Sequence, residues 1–298
     1  MNYRGRFAPS PTGRLHFGSL LTATASYLEA RSQGGIWLLR IEDLDTPRIR
    51  TETTGAIIRT LALHGFVWDE DITYQSRRLT YYRQALQTLK TRQLTYACTC
   101  SRKVLQQQAR PGAYGLVYPG TCRRQQTVPD GRRHAIRIRV PARDIRFNDR
   151  IQGLFCQNLA TELGDFVLRR ADGIFAYQLA VVVDDARQGI THVVRGADLL
   201  DNTPRQYYLQ EQLELPHPHY AHIPLACNAQ GQKLSKQTFA TALEPEQALD
   251  NLCQVWNALG QIPLEAAALD SVTAFWDHAI RHWEPCRITG KLRLAQAF

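Results

Sequence analysis

The 298-residue chain contains no apolar run approaching the ~20 residues that a helical membrane span needs. Its opening, Met1-Asn2-Tyr3-Arg4-Gly5-Arg6, runs directly into a Pro/Gly loop and lacks the apolar core of a secretory signal. These two absences lead to the expectation of a cytoplasmic protein with no membrane partner. The seven cysteines are too few and odd in number for a disulfide framework in a chain this long. Four of them, Cys156, Cys227, Cys253 and Cys286, are scattered and read as packing residues. Internal repeats, low-complexity tracts and coiled-coil heptads are also missing. A monomer is expected.

What is present is an ordinary globular composition, 44% hydrophobic and 21% charged, with length enough for a sizeable core and two or three domains. The net charge of +9 is unevenly placed. Residues 101–146 hold Arg102, Lys103, Arg110, Arg123, Arg124, Arg132, Arg133, Arg137, Arg139, Arg143 and Arg146 against Asp130 and Asp144, an excess of nine that equals the whole chain's. A charge excess confined to one segment suggests a polyanion-binding face, since each neutralised phosphate releases counterions. A merely solvated surface is the plainer alternative.

The pattern opens as strand (Arg4–Ala8), loop (Pro9–Phe17) and helix (Ser19–Gln33), followed by the continuous apolar run Ile36–Ile41 of a buried parallel strand. Helices are expected over Thr51–His64 and Arg77–Gln93. From about residue 95 cysteines, Gly/Pro loops and alternating patterns appear, as in His134–Val140 and Phe166–Arg170. The α/β pattern returns at Tyr177, with a strand over Thr191–Arg195, a helix over Thr203–Leu213 and a strand near His222–Ala226. From Thr238 to Phe298 the pattern reads as helical. The economical reading is an α/β nucleotide-binding domain, residues 1–80 and 177–238, split by a β-rich insertion over 81–176 and followed by a helical part over 239–298.

Several segments carry chemistry. In Phe7-Ala-Pro-Ser-Pro-Thr-Gly-Arg-Leu-His-Phe-Gly-Ser19, a fixed loop leads into a helix start at Gly18 and Ser19 that suits an anion such as phosphate, with His16 just before it. Gly231-Gln-Lys-Leu-Ser-Lys-Gln237 offers Lys233, Ser235 and Lys236 to a triphosphate, Lys236 neutralising charge that develops at phosphorus. Glu42-Asp43-Leu-Asp45 reads equally as a metal-binding cluster, a capping turn or part of a pocket. Cys98, Cys100 and Cys122 supply three of the four ligands zinc requires; generic zinc chemistry would add His134 or Cys156.

The His16-x-Gly18 and Lys233-x-Ser-Lys236 pair resembles the paired signatures of class I aminoacyl-tRNA synthetases. Arg6-Phe-Ala-Pro-Ser-Pro-Thr-Gly13, Arg40-Ile-Glu-Asp-Leu-Asp-Thr-Pro-Arg48, Tyr177-Gln-Leu-Ala-Val-Val-Val-Asp-Asp185 and Val194-Arg-Gly-Ala-Asp198 resemble the glutamyl branch, over most of residues 4–240. Within it, the chain is most similar to the truncated paralogues. Only 61 residues follow Gln237, too few for the large anticodon-binding part of a full enzyme, and Cys98-x-Cys100…Tyr118-x₃-Cys122 matches their zinc site. Ser19 stands where many class I enzymes carry a second histidine, and the second signature ends in Gln237.

The resemblance implies a Rossmann-like class I catalytic domain, a zinc-bearing insertion and a short helical C-terminal part. It implies ATP with Mg²⁺ as substrate, held by His16, Gly18, Ser19, Lys233, Ser235 and Lys236, with His16 and Lys236 catalytic. Glutamate would be bound by Arg6, Phe7, Ala8, Pro9, Ser10, Glu42, Tyr177 and Arg195: Arg6 on the side-chain carboxylate, Glu42 on the α-ammonium, Tyr177 and Arg195 completing the pocket. Structural Zn²⁺ would be held by Cys98, Cys100, Tyr118 and Cys122. The acceptor it implies is queuosine in the anticodon of tRNA(Asp). Two rivals are a shortened synthetase charging the tRNA 3′ end and a catalytically silent, zinc-containing RNA-binding module.

Overall fold

Parallel pairing of two short, buried strands sets the frame. In the computed structural model, which describes residues 2–124, 131–227, 243–264 and 269–295, β1 (Arg4–Phe7) pairs with β2 (Ile36–Ile41) from Arg4 against Ile36 to Phe7 against Leu39. Parallel neighbours need a covering crossover. That crossover is α1 (Phe17–Arg31), which buries Leu20, Leu21, Tyr27 and Leu28. The return to β2 passes Gly35, where an added Cβ would lie 2.6 Å from the Tyr3 carbonyl oxygen. After α2 (Thr51–Leu63), β3 (Thr73–Tyr74) joins β2 in parallel.

The chain continues through α3 (Leu79–Thr91), β4 (Thr95–Cys98), α4 (Arg102–Gln108) and the hairpin of β5 (Arg110–Gly112) with β6 (Gly115–Val117). β7 (Ala135–Ile138) pairs antiparallel with β4, then come β8 (Asp144–Asp149), β9 (Gly153–Asn158) and the single turn α5 (Leu159–Glu162). β10 (Val167–Arg169) covers the other edge of β7. α6 (Tyr177–Arg187), β11 (His192–Gly196), α7 (Thr203–Leu213), β12 (His219–Ile223) and β13 (Leu225–Cys227) follow. α8 (Ala248–Ala258), α9 (Val272–Arg281) and β14 (Arg293–Ala295) complete the described chain. No helix among the described residues is long and apolar enough to cross a membrane.

β11 and β12 are parallel over their full length. The Thr191 N–H donates to the Arg4 carbonyl at 2.9 Å and the Arg4 N–H to Thr191 Oγ1 at 2.9 Å, so β11 starts alongside β1. The parallel strands thus run β3-β2-β1-β11-β12. Crossovers leave β1 in one direction and reach β11 from the other, which opens a crevice at their carboxyl ends. Trp37, Tyr27 and Phe66 pack with Trp256, Phe275 and Trp276 in one core, which fastens α8 and α9 beneath the first strands. A second core joins Leu86 and Leu89 of α3, Ile138, Leu168, the buried face of α6 and Leu209.

Three features differ from the sequence expectation. The β8–β9 hairpin, within the segment expected as an insertion, pairs with β12 through Tyr220 and Asp149, so it extends the β11–β12 sheet. The single strand expected near His222–Ala226 is two strands broken at Pro224, which has no N–H to continue a ladder. The C-terminal part is not helical throughout: β14 pairs in parallel with β13, and the Leu225 N–H donates to the Leu292 carbonyl at 3.0 Å. The open edge of β13 offers backbone groups that a short chain segment can satisfy.

Gly65 ends α2 at φ +75°, and an added Cβ would lie 2.6 Å from Val272 Cγ1 and 2.8 Å from Trp276 Nε1. That indole donates to the His64 carbonyl at 2.8 Å, so it has little freedom to retreat. Gly65→Ala should cost about 2–4 kcal/mol in chemical denaturation. Gly153→Ala, with the same φ of +75° but open space around it, should cost only about 1 kcal/mol.

Candidate functional site

A cavity of about 900 Å³ opens at the carboxyl ends of β1, β2 and β11. Arg6 to Ser10 line it from the end of β1, and Glu42 follows β2. Tyr177 enters from the first residue of α6 and Arg195 from β11. His16, Gly18 and Ser19 form a further wall. Here α1 begins at Phe17, with His16 in extended conformation as its cap and its carbonyl accepting from the Ser19 and Leu20 N–H groups at 2.8 and 3.0 Å. No acidic residue lies in that first turn. The cavity thus gathers every described residue singled out for ATP or glutamate. Lys233, Ser235 and Lys236 lie outside the described residues.

The floor is built from buried charge. Arg40, wholly buried on β2, donates to Asp185 Oδ1 at 2.7 Å and Gln188 Oε1 at 2.6 Å. Arg6 shares the same Asp185 oxygen, its Nε at 3.4 Å. Burial works against the charge on Asp185, but Arg40 and Arg6 outweigh it and hold the carboxyl below the usual range. Glu42 fares differently. Its Oε1 is 3.6 Å from Arg40 and has no hydrogen-bond partner among the described residues. Desolvation dominates, opposed by Arg40 and Arg6, and pushes this carboxyl up to about 7. A buried oxygen without a donor is costly unless a cation meets it.

Arg195 is held on every side. Its Nε donates to His222 Nε2 at 2.9 Å, Nη2 to Thr203 Oγ1 at 2.8 Å and Nη1 to the Tyr177 hydroxyl at 3.3 Å. His222 in turn meets Asp149 Oδ2 at 2.6 Å. Sequence reasoning assigned no role to Arg40, Asp185, His222 or Asp149. The adjacent acids Asp184-Asp185 ending an apolar helix were a usable signal. Asp149 and His222, 73 residues apart, offered none.

At the cysteine corner the sulfurs of Cys98, Cys100 and Cys122 all lie within 4.8 Å of one another. The Tyr118 hydroxyl sits 3.5 Å from Cys98 Sγ and accepts from the Cys122 N–H at 2.9 Å. Burial raises the Cys122 thiol, yet hydrogen bonds from the Thr99 N–H, Cys100 and Tyr118 bring it down to about 7. Three soft donors with a phenolic oxygen beside them suit zinc chemistry. His134, exposed and bonded to the Arg132 carbonyl, and Cys156, exposed on β9, do not join the group.

The basic segment is only partly a free surface. Arg137 is buried, lies 3.9 Å above the Tyr118 ring and donates to the Asp165 carbonyl at 2.7 Å. Arg139 donates to the Arg123 carbonyl, Arg123 pairs with Asp165, Arg143 with Glu211 and Arg146 with Asp144. Arg102, Lys103, Arg110, Arg124, Arg132 and Arg133 are exposed. Of the eleven basic residues behind the expected polyanion-binding face, Arg137 is thus turned inward.

The family model for tRNA synthetases class I (E and Q), catalytic domain, matches residues 2–254. A glutamyl-Q tRNA(Asp) synthetase from Neisseria meningitidis serogroup C is 56% identical over 284 residues, 95% of this chain and 96% of its own. Its namesake from Chromobacterium violaceum is 51% identical over 294 residues, 98% of this chain and 97% of its own. The crystal structure of glutamate-tRNA synthetase from Elizabethkingia anophelis superposes with a TM-score of 0.80 at 27% identity, covering 98% of this chain and 67% of that one. A glutamate tRNA ligase from Elizabethkingia meningosepticum, in complex with its amino acid, gives 0.79 at 28%, covering 98% and 66%.

Glu42 generates a stability prediction. A carboxyl raised from 4.5 to about 7 favours its protonated form in the folded state. Its contribution is therefore present below pH ~4.5 and lost as pH rises through about 7. Glu42→Gln should be more stable than the unaltered protein at pH 8, by about 1–3 kcal/mol. The advantage should shrink towards pH 5, as read by urea denaturation at both pH values.

Proposed function

The chain belongs to the class I tRNA synthetases of the E and Q type and, among them, to the glutamyl-Q tRNA(Asp) synthetases, and from that premise we propose that it activates glutamate with ATP, without tRNA, and transfers it to queuosine in the anticodon of tRNA(Asp). The observation that carries this reading is one cavity lined by the buried guanidiniums of Arg6 and Arg195, beside an Arg170 already paired with Asp45 and Asp172, and by a carboxylate oxygen of Glu42 that lacks a donor. Glutamate brings two carboxylates and one ammonium, the complement of that set. Arg6 takes the side-chain carboxylate, Glu42 the α-ammonium, and Tyr177 and Arg195 complete the pocket. Phe7, Ala8, Pro9 and Ser10 supply its wall. Glutamine would bring no charge to Arg6, which otherwise shares a single Asp185 oxygen with Arg40.

In the reaction the α-carboxylate attacks the α-phosphorus of ATP in line. The bond to the bridging oxygen breaks, pyrophosphate leaves and glutamyl-adenylate forms. His16, Gly18 and Ser19 receive the nucleotide at the start of α1, where the helix dipole favours phosphate. Lys233, Ser235 and Lys236 are assigned to the phosphates from the sequence, with Lys236 opposing the charge that develops. Mg²⁺ enters with ATP. A queuosine hydroxyl then displaces AMP from the adenylate.

We read residues 81–176 as the insertion, whose β8–β9 hairpin docks on the catalytic sheet and whose cysteine corner carries structural zinc on Cys98, Cys100, Cys122 and Tyr118. Residues 1–80 and 177–238 are the two catalytic halves and 239–298 the C-terminal part. The exposed Arg102, Lys103, Arg110, Arg124, Arg132 and Arg133 form the face that meets tRNA. The protein is read as a cytoplasmic monomer with no membrane partner.

Glutamate should support ATP–pyrophosphate exchange in the absence of tRNA, with glutamine weaker by about 10²-fold or more. Labelled glutamate should attach to tRNA(Asp) that contains queuosine, and nuclease mapping should locate it in the anticodon fragment. Label on the 3′-terminal fragment would instead support the ordinary charging reaction. Metal analysis of the purified protein should find one zinc per chain. Cys98→Ser should lose the metal and Tyr118→Phe should weaken its retention against chelator; unchanged retention in Tyr118→Phe would reassign the fourth ligand.

A further inference from the structure

We propose that His222 and Asp149 are positioning residues for amino-acid recognition, fixing the Arg195 guanidinium by dictating which imidazole nitrogen carries the proton. The proposal rests on the reading above, in which Arg195 meets the amino acid. Neither His222 nor Asp149 lines the cavity, so both must act through Arg195.

The proton positions follow from the donors. A guanidinium only donates, so His222 Nε2, 2.9 Å from Arg195 Nε, must present its lone pair. The ring proton of a neutral imidazole is then on Nδ1 and is donated to Asp149 Oδ2 at 2.6 Å. Burial holds the ring neutral, lowering it to about 4, with Asp149 opposing and Arg195 reinforcing that shift. Asp149 is itself fixed. Its Oδ1 accepts the backbone N–H groups of Ile151, Gln152 and His222 at 3.0, 2.9 and 3.1 Å. With Oδ1 committed to three donors, Oδ2 faces the ring as a pure acceptor and selects the Nδ1–H tautomer. The β8–β9 hairpin holds that carboxylate beneath β12 because Asp149 is in register with Tyr220.

Asp149→Asn inverts this selection while keeping the shape. The amide oxygen stays on the three backbone donors, so the amide NH₂ takes the place of Oδ2 and faces Nδ1. The ring proton must then move to Nε2, where it points at the Arg195 N–H. Two donors cannot share that space, and the guanidinium is displaced from its set direction.

The test measures glutamate-dependent ATP–pyrophosphate exchange and the imidazole ¹⁵N shifts of His222. Asp149→Asn should raise KM for glutamate by roughly ten- to a hundred-fold with a smaller change in kcat and an unaltered KM for ATP. The ¹⁵N pattern should change from Nδ1–H to Nε2–H. His222→Asn, whose amide reaches Asp149 but offers Arg195 no acceptor, should behave like Asp149→Asn. His222→Gln, whose oxygen can occupy the Nε2 position, should recover most of that loss. Thermal melts of all three establish that they fold; if Asp149→Asn does not, the two His222 variants decide alone. A folded Asp149→Asn with unchanged glutamate KM, an Nδ1–H tautomer retained in that variant, or equal losses in His222→Asn and His222→Gln would each overturn the proposal. Absence of glutamate-dependent exchange in the unaltered protein would instead overturn the glutamate reading, while the ¹⁵N result still tests the tautomer.

Discussion

Arg40 carries a full charge at 0% exposure, and its ion pair with Asp185 constrains everything built around the cavity. A buried guanidinium persists only where paired carboxylate and hydrogen bonds replace the water it has lost. Asp185 must therefore stand at one place, and Arg6 borrows the same oxygen. Its neighbour Asp184, equally buried, accepts from Gln75, Arg78 and the Tyr82 hydroxyl. Two adjacent acids at the end of α6 thereby tie β1 and β2 to one side of the helix and α3 to the other. Tyr177 and Asp185 belong to the same helix, so the anchor of the floor and a wall of the cavity cannot shift independently.

The alternating layers were legible because each strand and helix announces itself locally. α7 begins at Thr203-Pro204 and stops at Glu214 in left-handed conformation, and the expected bounds Thr203–Leu213 coincide with those observed. The wall of the cavity was legible too, since its residues fall within short, recognisable strings. What remained hidden depends on distant partners. Three residues as short as Arg293-Leu-Ala295 become a strand only because β13 presents an open edge. Asp149 reads as an ordinary surface acid before a Gly-containing turn, and only the docking of its hairpin against β12 turns it inward to 1% exposure.

Less of the basic segment is available than its charge along the chain implies. Arg137 helps to build the cysteine corner, stacked on Tyr118 while its donor reaches the Asp165 carbonyl. Asp165 also accepts from the Tyr96 hydroxyl at 2.7 Å and the Val140 N–H at 2.8 Å. One acid and one arginine thus knit the β4–β7–β10 sheet to the cysteines. Arg143 and Arg146 are exposed but spend their charge on Glu211 and Asp144, so the remaining exposed charge lies at α4, Arg110, Arg124 and the residues just before β7.

A Glu42 carboxyl that titrates at about 7 has a calorimetric consequence. An ammonium seated against it, as proposed for glutamate, would favour the ionised form, so ligand would enter as proton leaves. Near neutrality roughly half a proton would be released to solvent for each molecule bound. The measured heat of association then includes the ionisation enthalpy of whichever buffer takes up that proton, and it differs between phosphate and Tris at one pH. On that reading Glu42 would act as an exchange point, trading a small cation for a larger one, and this part of the pocket would change little in net charge on filling.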